Sequence, residues 1–165
     1  MAVETEFVFL LEQHQKIIYK VCNLYVDSRS DKDDLFQEIT LQAWKAFITF
    51  RGDAKFSTWL YRVALNKAIT FFRKEKKTAH IYTTDELPDI AGAALDPIEE
   101  QTKAMYAAIG NLSKVDKAIV MLYIEDYSYA EISELVGITA NNVAVKMNRI
   151  KIKLKEETKK YLANA

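Results

Sequence analysis

The segment YSYAEISELVGITANNVAVKMNRIKIKLK, residues 127–155, restricts the fold more than any other stretch, because its side chains spell out two helix starts and the turn between them. Ser128 followed by Glu131 makes a capping box, and Tyr127 with Ile132 makes the hydrophobic staple across the same start. Gly137 stands where the first helix needs a left-handed residue to end. Thr139 then caps a second helix, with Ile138 and Val143 as its staple. On that helix Val143, Met147, Ile150 and Leu154 form the buried stripe. Asn141, Val145, Asn148 and Arg149 face outward, with Lys146, Lys151 and Lys153 along the flanks. Amides and a guanidinium suit base edges in a major groove, a valine suits a thymine methyl, and lysines suit phosphates. Ile152 also points outward and has no such use. An ordinary two-helix hairpin with a basic surface is the plainer reading, and the agreement of caps, turn and outward amides weighs against it.

The rest of the composition keeps the chain helical. Of 165 residues half are hydrophobic, enough for real cores, while four glycines and two prolines leave little for the tight turns of an all-β protein. The expected fold is all-α. A lone Cys22 forms no internal disulfide, and His14 and His80 are too far apart in sequence to suggest a metal site, so no cofactor is expected. A run of about 18 apolar residues is missing, as is a secretory start, so a cytoplasmic protein without membrane insertion is expected.

The net charge of zero conceals a division along the chain. Residues 1–78 carry 13 Lys/Arg against 10 Asp/Glu, residues 79–102 none against 6, and residues 103–165 10 against 7. Two mildly basic blocks flank an acidic one, a pattern that suits a polyanion partner for the blocks. The acidic stretch holds both prolines and lacks sustained helical periodicity, and it reads as a linker over 79–98. Helical patterns lie on either side, near 4–26, 32–49 and 57–77 before it and near 99–110, 114–125, 129–136 and 140–160 after it. The expected architecture is therefore two small helical domains, an N-terminal bundle and a C-terminal helix-turn-helix, joined by the acidic linker.

On the helix expected over 57–77, Leu60, Ala64, Ala68 and Phe71, with Tyr61 and Phe72, share an inward face. Trp59, Arg62, Asn66, Thr70, Arg73 and Lys77 share the other. Cations on such a stripe track phosphates, and an aromatic among them offers a platform for an unstacked base. A solvated basic face with Trp59 packed on a neighbouring helix is the competing account. The turn FRGDAK, residues 50–55, precedes this helix, and Gly52 lets it take backbone shapes that present side chains closely. On the helix over 32–49, Leu35, Ile39, Ala43 and Ala46 with Phe36 and Phe47 point inward. Leu41, Trp44 and Ile48 lie outside among Asp34, Gln37, Glu38 and Lys45. Apolar anchors ringed by charge suit a protein interface.

Taken together these segments resemble the extracytoplasmic-function class of RNA polymerase sigma factors over nearly the whole chain. DLFQEITLQAWKAF resembles the region that docks on the polymerase clamp, and FRGDAKFSTWLYRVALNKAITFFRK the region that recognises and melts the promoter minus-ten element. LSKVDKAIVMLYIEDYSYAEISELVGITANNVAVKMNRIKIKL resembles the domain that reads the minus-thirty-five element. The resemblance implies core RNA polymerase and promoter DNA as partners, with an anti-sigma factor as a further one, and no catalysis. It implies polymerase contact through Asp34, Gln37, Glu38, Leu41, Trp44 and Lys45. For the minus-ten element it implies Phe50, Arg51, Gly52, Asp53, Lys55, Trp59, Arg62, Asn66, Lys67 and Arg73, and for the minus-thirty-five element Thr139, Asn141, Asn142, Val145, Lys146, Asn148, Arg149 and Lys151. The domains implied are 1–78 and 99–165, with a linker that threads toward the RNA exit path.

Five positions depart from the family pattern: Thr40 replaces the usual aromatic, Thr70 an Asp, Ser113 a Pro, Ser133 an Ala and Lys146 an Arg. Lys146 lacks the bidentate fork of an arginine. A stand-alone helix-turn-helix regulator and a small RNA-binding protein using the Trp59 face are the rival readings.

Overall fold

A computed structural model describes the backbone of residues 2–75 and 97–164, and the side chains of these except 72–75 and 97–98. All its regular structure is helical: α1 Val3–Gln13, α2 Gln15–Tyr25, α3 Arg29–Phe47, α4 Phe56–Glu75, α5 Pro97–Gly110, α6 Lys114–Ile124, α7 Tyr129–Val136 and α8 Ala140–Ala163. The helices fall into two compact units, one holding α1–α4 and the other α5–α8. The acidic linker expected at 79–98 lies outside the described residues except at its end, where α5 already begins at Pro97.

In the first unit the single helix expected over 4–26 is two. His14 leaves the helical region at φ −119°, ψ 15°, its Nδ1 lies 2.8 Å from the Leu10 carbonyl, and its ring packs on Phe56 at 5.0 Å. Hydrophobic spacing continues through this break, so periodicity alone did not reveal it. The break lets α1 lay the buried Phe7 against Trp44 and Phe47, each at 5.2 Å between ring centres, while α2 packs on α3 and α4. Helix α3 starts three residues earlier than expected because the Ser28 hydroxyl accepts from the Asp31 N–H at 3.1 Å. The core is Ile17, Ile18, Val21 and Cys22 of α2, Leu35, Ile39, Ala43 and Phe47 of α3, and Leu60, Tyr61, Ala64, Leu65 and Ala68 of α4. Phe36, Ala46 and Phe71, expected inside, are only half-buried, and the Phe72 side chain is not described.

The second unit closes around Ala104, Ala108, Ile109, Ile119, Leu122, Ile132, Val143, Met147 and Ile150. Helix α8 packs on α5, α6 and α7. Ser113 caps α6 by accepting from the Asp116 N–H at 3.2 Å, so a serine serves here at the place where the family pattern has proline.

Candidate nucleic-acid interface

The helix-turn-helix forms through the interactions its sequence encodes. Ser128 accepts from the Glu131 N–H at 3.1 Å and the Glu131 carboxylate accepts from the Ser128 N–H at 3.0 Å. Gly137 ends α7 at φ 84°, and Thr139 opens α8 by accepting from the Asn142 N–H at 3.1 Å. Ser133 adds an interaction that the sequence did not suggest: its hydroxyl donates to the Ile138 carbonyl across the turn. Tyr127, Asp126 at φ 66° and the Tyr127 N–H to Leu122 carbonyl bond at 3.0 Å tie α6 to this motif.

Along α8 the residues Thr139, Asn141, Asn142, Val145, Asn148, Arg149 and Lys151 are exposed, and Lys146 is half-exposed. The apolar stripe Val143, Met147, Ile150 and Leu154 is buried as expected. Two of the three flanking lysines are not loose. Lys146 Nζ lies 3.5 Å from Asp116 Oδ1 of α6, and Lys151 Nζ sits 4.9 Å from the centre of the Tyr123 ring. A hydrogen bond to Tyr123, then the nearby charge of the Tyr123 and Tyr129 phenols, holds the Lys151 ammonium above its ordinary pKa. Helix α6, read from the sequence only as scaffold, therefore supplies partners to two of the expected contact residues. Ile152 is 54% exposed.

In the first unit the FRGDAK loop is anchored at one end and open at the other. Phe50 stacks on Phe47 at 5.9 Å and meets Phe56 and Trp59 at 5.8 and 5.2 Å. Arg51, Gly52, Asp53 and Lys55 are exposed, and Gly52 takes φ 79°. Trp59 departs from the expectation of an aromatic standing on the cationic stripe. It is half-buried against Phe47, Phe50 and Phe56, at 6.1, 5.2 and 5.4 Å. Its place in the first turn of α4 is what allows the loop to fold Phe50 over it, a relation that helical periodicity within α4 does not contain.

Arg62 and Asn66 remain exposed on α4. The Thr70 hydroxyl turns back to the carbonyls of Asn66 and Lys67, at 3.1 Å each. Lys67 is committed elsewhere, its Nζ lying 3.1 Å from Glu38 Oε2 on α3. The Arg73 side chain and Lys77 lie outside the described side chains.

On the outer side of α3, Asp34, Gln37, Leu41 and Lys45 are exposed and Glu38 half-exposed. Trp44 is half-covered by Phe7 of α1 rather than fully outward. Between α1 and α3 runs an open apolar groove lined by Phe7, Val8, Phe36, Thr40, Leu41 and Trp44. The Thr40 hydroxyl lies out of solvent there with no hydrogen-bond partner among the described residues. Phe36 forms one wall and packs on Tyr19 at 4.9 Å. Among the described residues no group of His, Cys, Asp or Glu could hold a metal ion, and no helix is long and apolar enough to cross a membrane.

Residues 10–78 match the Sigma-70 region 2 family and residues 102–154 match Sigma-70 region 4. The chain is 27% identical to the ECF RNA polymerase sigma factor SigW of Bacillus subtilis over 156 residues, covering 87% of this chain and 83% of that one. It is 26% identical to the ECF RNA polymerase sigma-E factor of Haemophilus influenzae, covering 87% and 82%. Two solved structures share the fold. The sigma factor RpoE of Bartonella quintana, crystallised with the anti-sigma factor NepR, aligns at TM-score 0.68 and 18% identity over 94% of this chain and 96% of its own. CnrH, solved with the cytosolic domain of CnrY, aligns at TM-score 0.63 and 20% identity over 93% and 87%.

Proposed function

Because the chain belongs to the sigma-70 family as an extracytoplasmic-function sigma factor with regions 2 and 4, serving transcription initiation by RNA polymerase, we propose that its two units divide promoter recognition between them. Residues 1–78 bind core polymerase and take the minus-ten element, residues 99–165 take the minus-thirty-five element, and residues 79–98 connect them. Sigma factors are not enzymes, so the contribution of this chain is selective binding that favours the open duplex.

The observation that carries this reading is the pairing, on one unit, of an anchored loop with an exposed polar ridge. Phe50 fixes the loop while Arg51 to Lys55 stay in solvent, and Arg62 and Asn66 stand exposed on the helix that follows. A base that leaves the stack exchanges its neighbours for such groups, and phosphates gain the cations. Asn141, Asn148 and Arg149 on α8 supply donors and acceptors for intact base pairs. Core polymerase takes the outer side of α3 through Asp34, Gln37, Glu38, Leu41, Trp44 and Lys45. The apolar groove beside it, together with the solved neighbour held by an anti-sigma factor, supports an anti-sigma partner for this chain as well. A cytoplasmic location is the one in which it would meet these partners.

Run-off transcription from a library of genomic fragments with purified core polymerase tests the reading. Added protein directs initiation from a subset of fragments sharing two spaced elements. Transcription that is independent of the protein, or DNA binding that needs no polymerase, contradicts it.

A further inference from the structure

Asp116 stands in the first turn of α6, where the cap is the Ser113 hydroxyl accepting from the Asp116 N–H. Asp116 Oδ1 is shut off from solvent and has no hydrogen-bond partner among the described residues. The cation facing it is the Lys146 ammonium, 3.5 Å away across the α6–α8 contact. Lys146 itself is open, with 39% of its side chain exposed. It stands one helical step from Asn142 and Arg149 on the outward flank of α8.

We propose that Asp116 is a positioning residue for sequence reading: it holds Lys146 at the edge of the recognition helix, so that the ammonium addresses a guanine acceptor rather than a phosphate. The proposal rests on the minus-thirty-five reading of α8 given above. A lysine on its flexible stem ordinarily seeks the nearest phosphate, which carries no sequence information. With 25% of the Asp116 side chain and 39% of the Lys146 side chain exposed the attraction is modest, and it biases the ammonium toward this spot rather than locking it there. The carboxylate also repels phosphates from the same spot. An ammonium has three donors, so N–H groups remain for the O6 and N7 acceptors of guanine after one side is engaged.

The test uses the full chain bound to core polymerase and a promoter duplex randomised over the upstream element, read by selection and sequencing. Wild type enriches guanine at one upstream position by about tenfold. Lys146→Ala and Asp116→Asn both lose that enrichment, the double variant loses no more, and Asp116→Glu retains it. Thermal melting of each variant shows that the fold is intact. Asp116→Asn keeping the guanine while Lys146→Ala loses it overturns the proposal, as does additivity in the double variant. A wild type that enriches no upstream sequence overturns the underlying reading of α8, and the proposal with it.

Discussion

Lys67 of α4 and Glu38 of α3 meet at 3.1 Å, so an expected DNA contact and an expected polymerase contact neutralise each other in the free protein. With 20% and 43% of their side chains exposed, the two are too wet for their attraction to contribute more than about 1 kcal/mol. Glu38→Gln therefore lowers stability by less than about 1 kcal/mol. Its larger effect falls on DNA, because Lys67 is released. The free protein then binds a single-stranded minus-ten oligonucleotide with a log K against log salt slope steeper by about 0.7. In a Lys67→Ala background the same change leaves the slope as it was. Anisotropy titrations at several salt concentrations check both statements.

Phe50 joins the FRGDAK loop to the ring cluster of Phe47, Phe56 and Trp59. Truncation to alanine removes three aromatic contacts from a half-buried site. Phe50→Ala is expected to cost about 2 kcal/mol of stability, and to release the exposed residues that follow. Urea unfolding measures the first effect and promoter opening the second.

Gly137 is held at φ 84° with open space where a Cβ would go. Its replacement by alanine therefore meets no clash, only the left-handed backbone penalty of about 1 to 2 kcal/mol. Gly137→Ala lowers the stability of the second unit by that amount, as read from its melting curve. An unchanged melting curve contradicts the turn geometry.

Burial pushes the Cys22 thiol from 9.0 up to about 11, with Lys32 opposing and Asp33 reinforcing the shift. Burial raises the Tyr25 phenol as well. Both groups are held neutral in the native state, so the unfolded chain ionises first as pH rises. Stability is flat below about pH 8; the Cys22 contribution is lost from about pH 9 to 11 and the Tyr25 contribution begins to be lost above about pH 10, each by up to about 1.4 kcal/mol per pH unit. Urea midpoints across this range measure the decline, and Cys22→Ala makes it shallower.

What the sequence disclosed was whatever is local. The caps of Ser128, Glu131, Gly137 and Thr139 act within one helical turn, and all four are read directly from residue type and spacing. The division into two helical units was legible in the charge blocks and in the gap in helical periodicity between them, and the family resemblance agrees with it. What the sequence concealed depends on residues meeting from different elements. His14 breaks a continuous apolar pattern because Phe56 of α4 packs against it. Trp59 turns into a cluster built by the loop that precedes it. Lys67 and Lys146 read as free cations along their own helices, while their carboxylate partners lie on α3 and α6.

In the proposed mechanism the ridge bearing Asn66 captures separated bases and does not hold polymerase. Permanganate reactivity of minus-ten thymines in the complete holoenzyme, measured for wild type and Asn66→Ala beside core-binding affinity, tests it most directly. Opening is predicted to fall by about tenfold or more, with core affinity unchanged within about twofold. Equal loss of both, or loss of core binding alone, contradicts this division of roles.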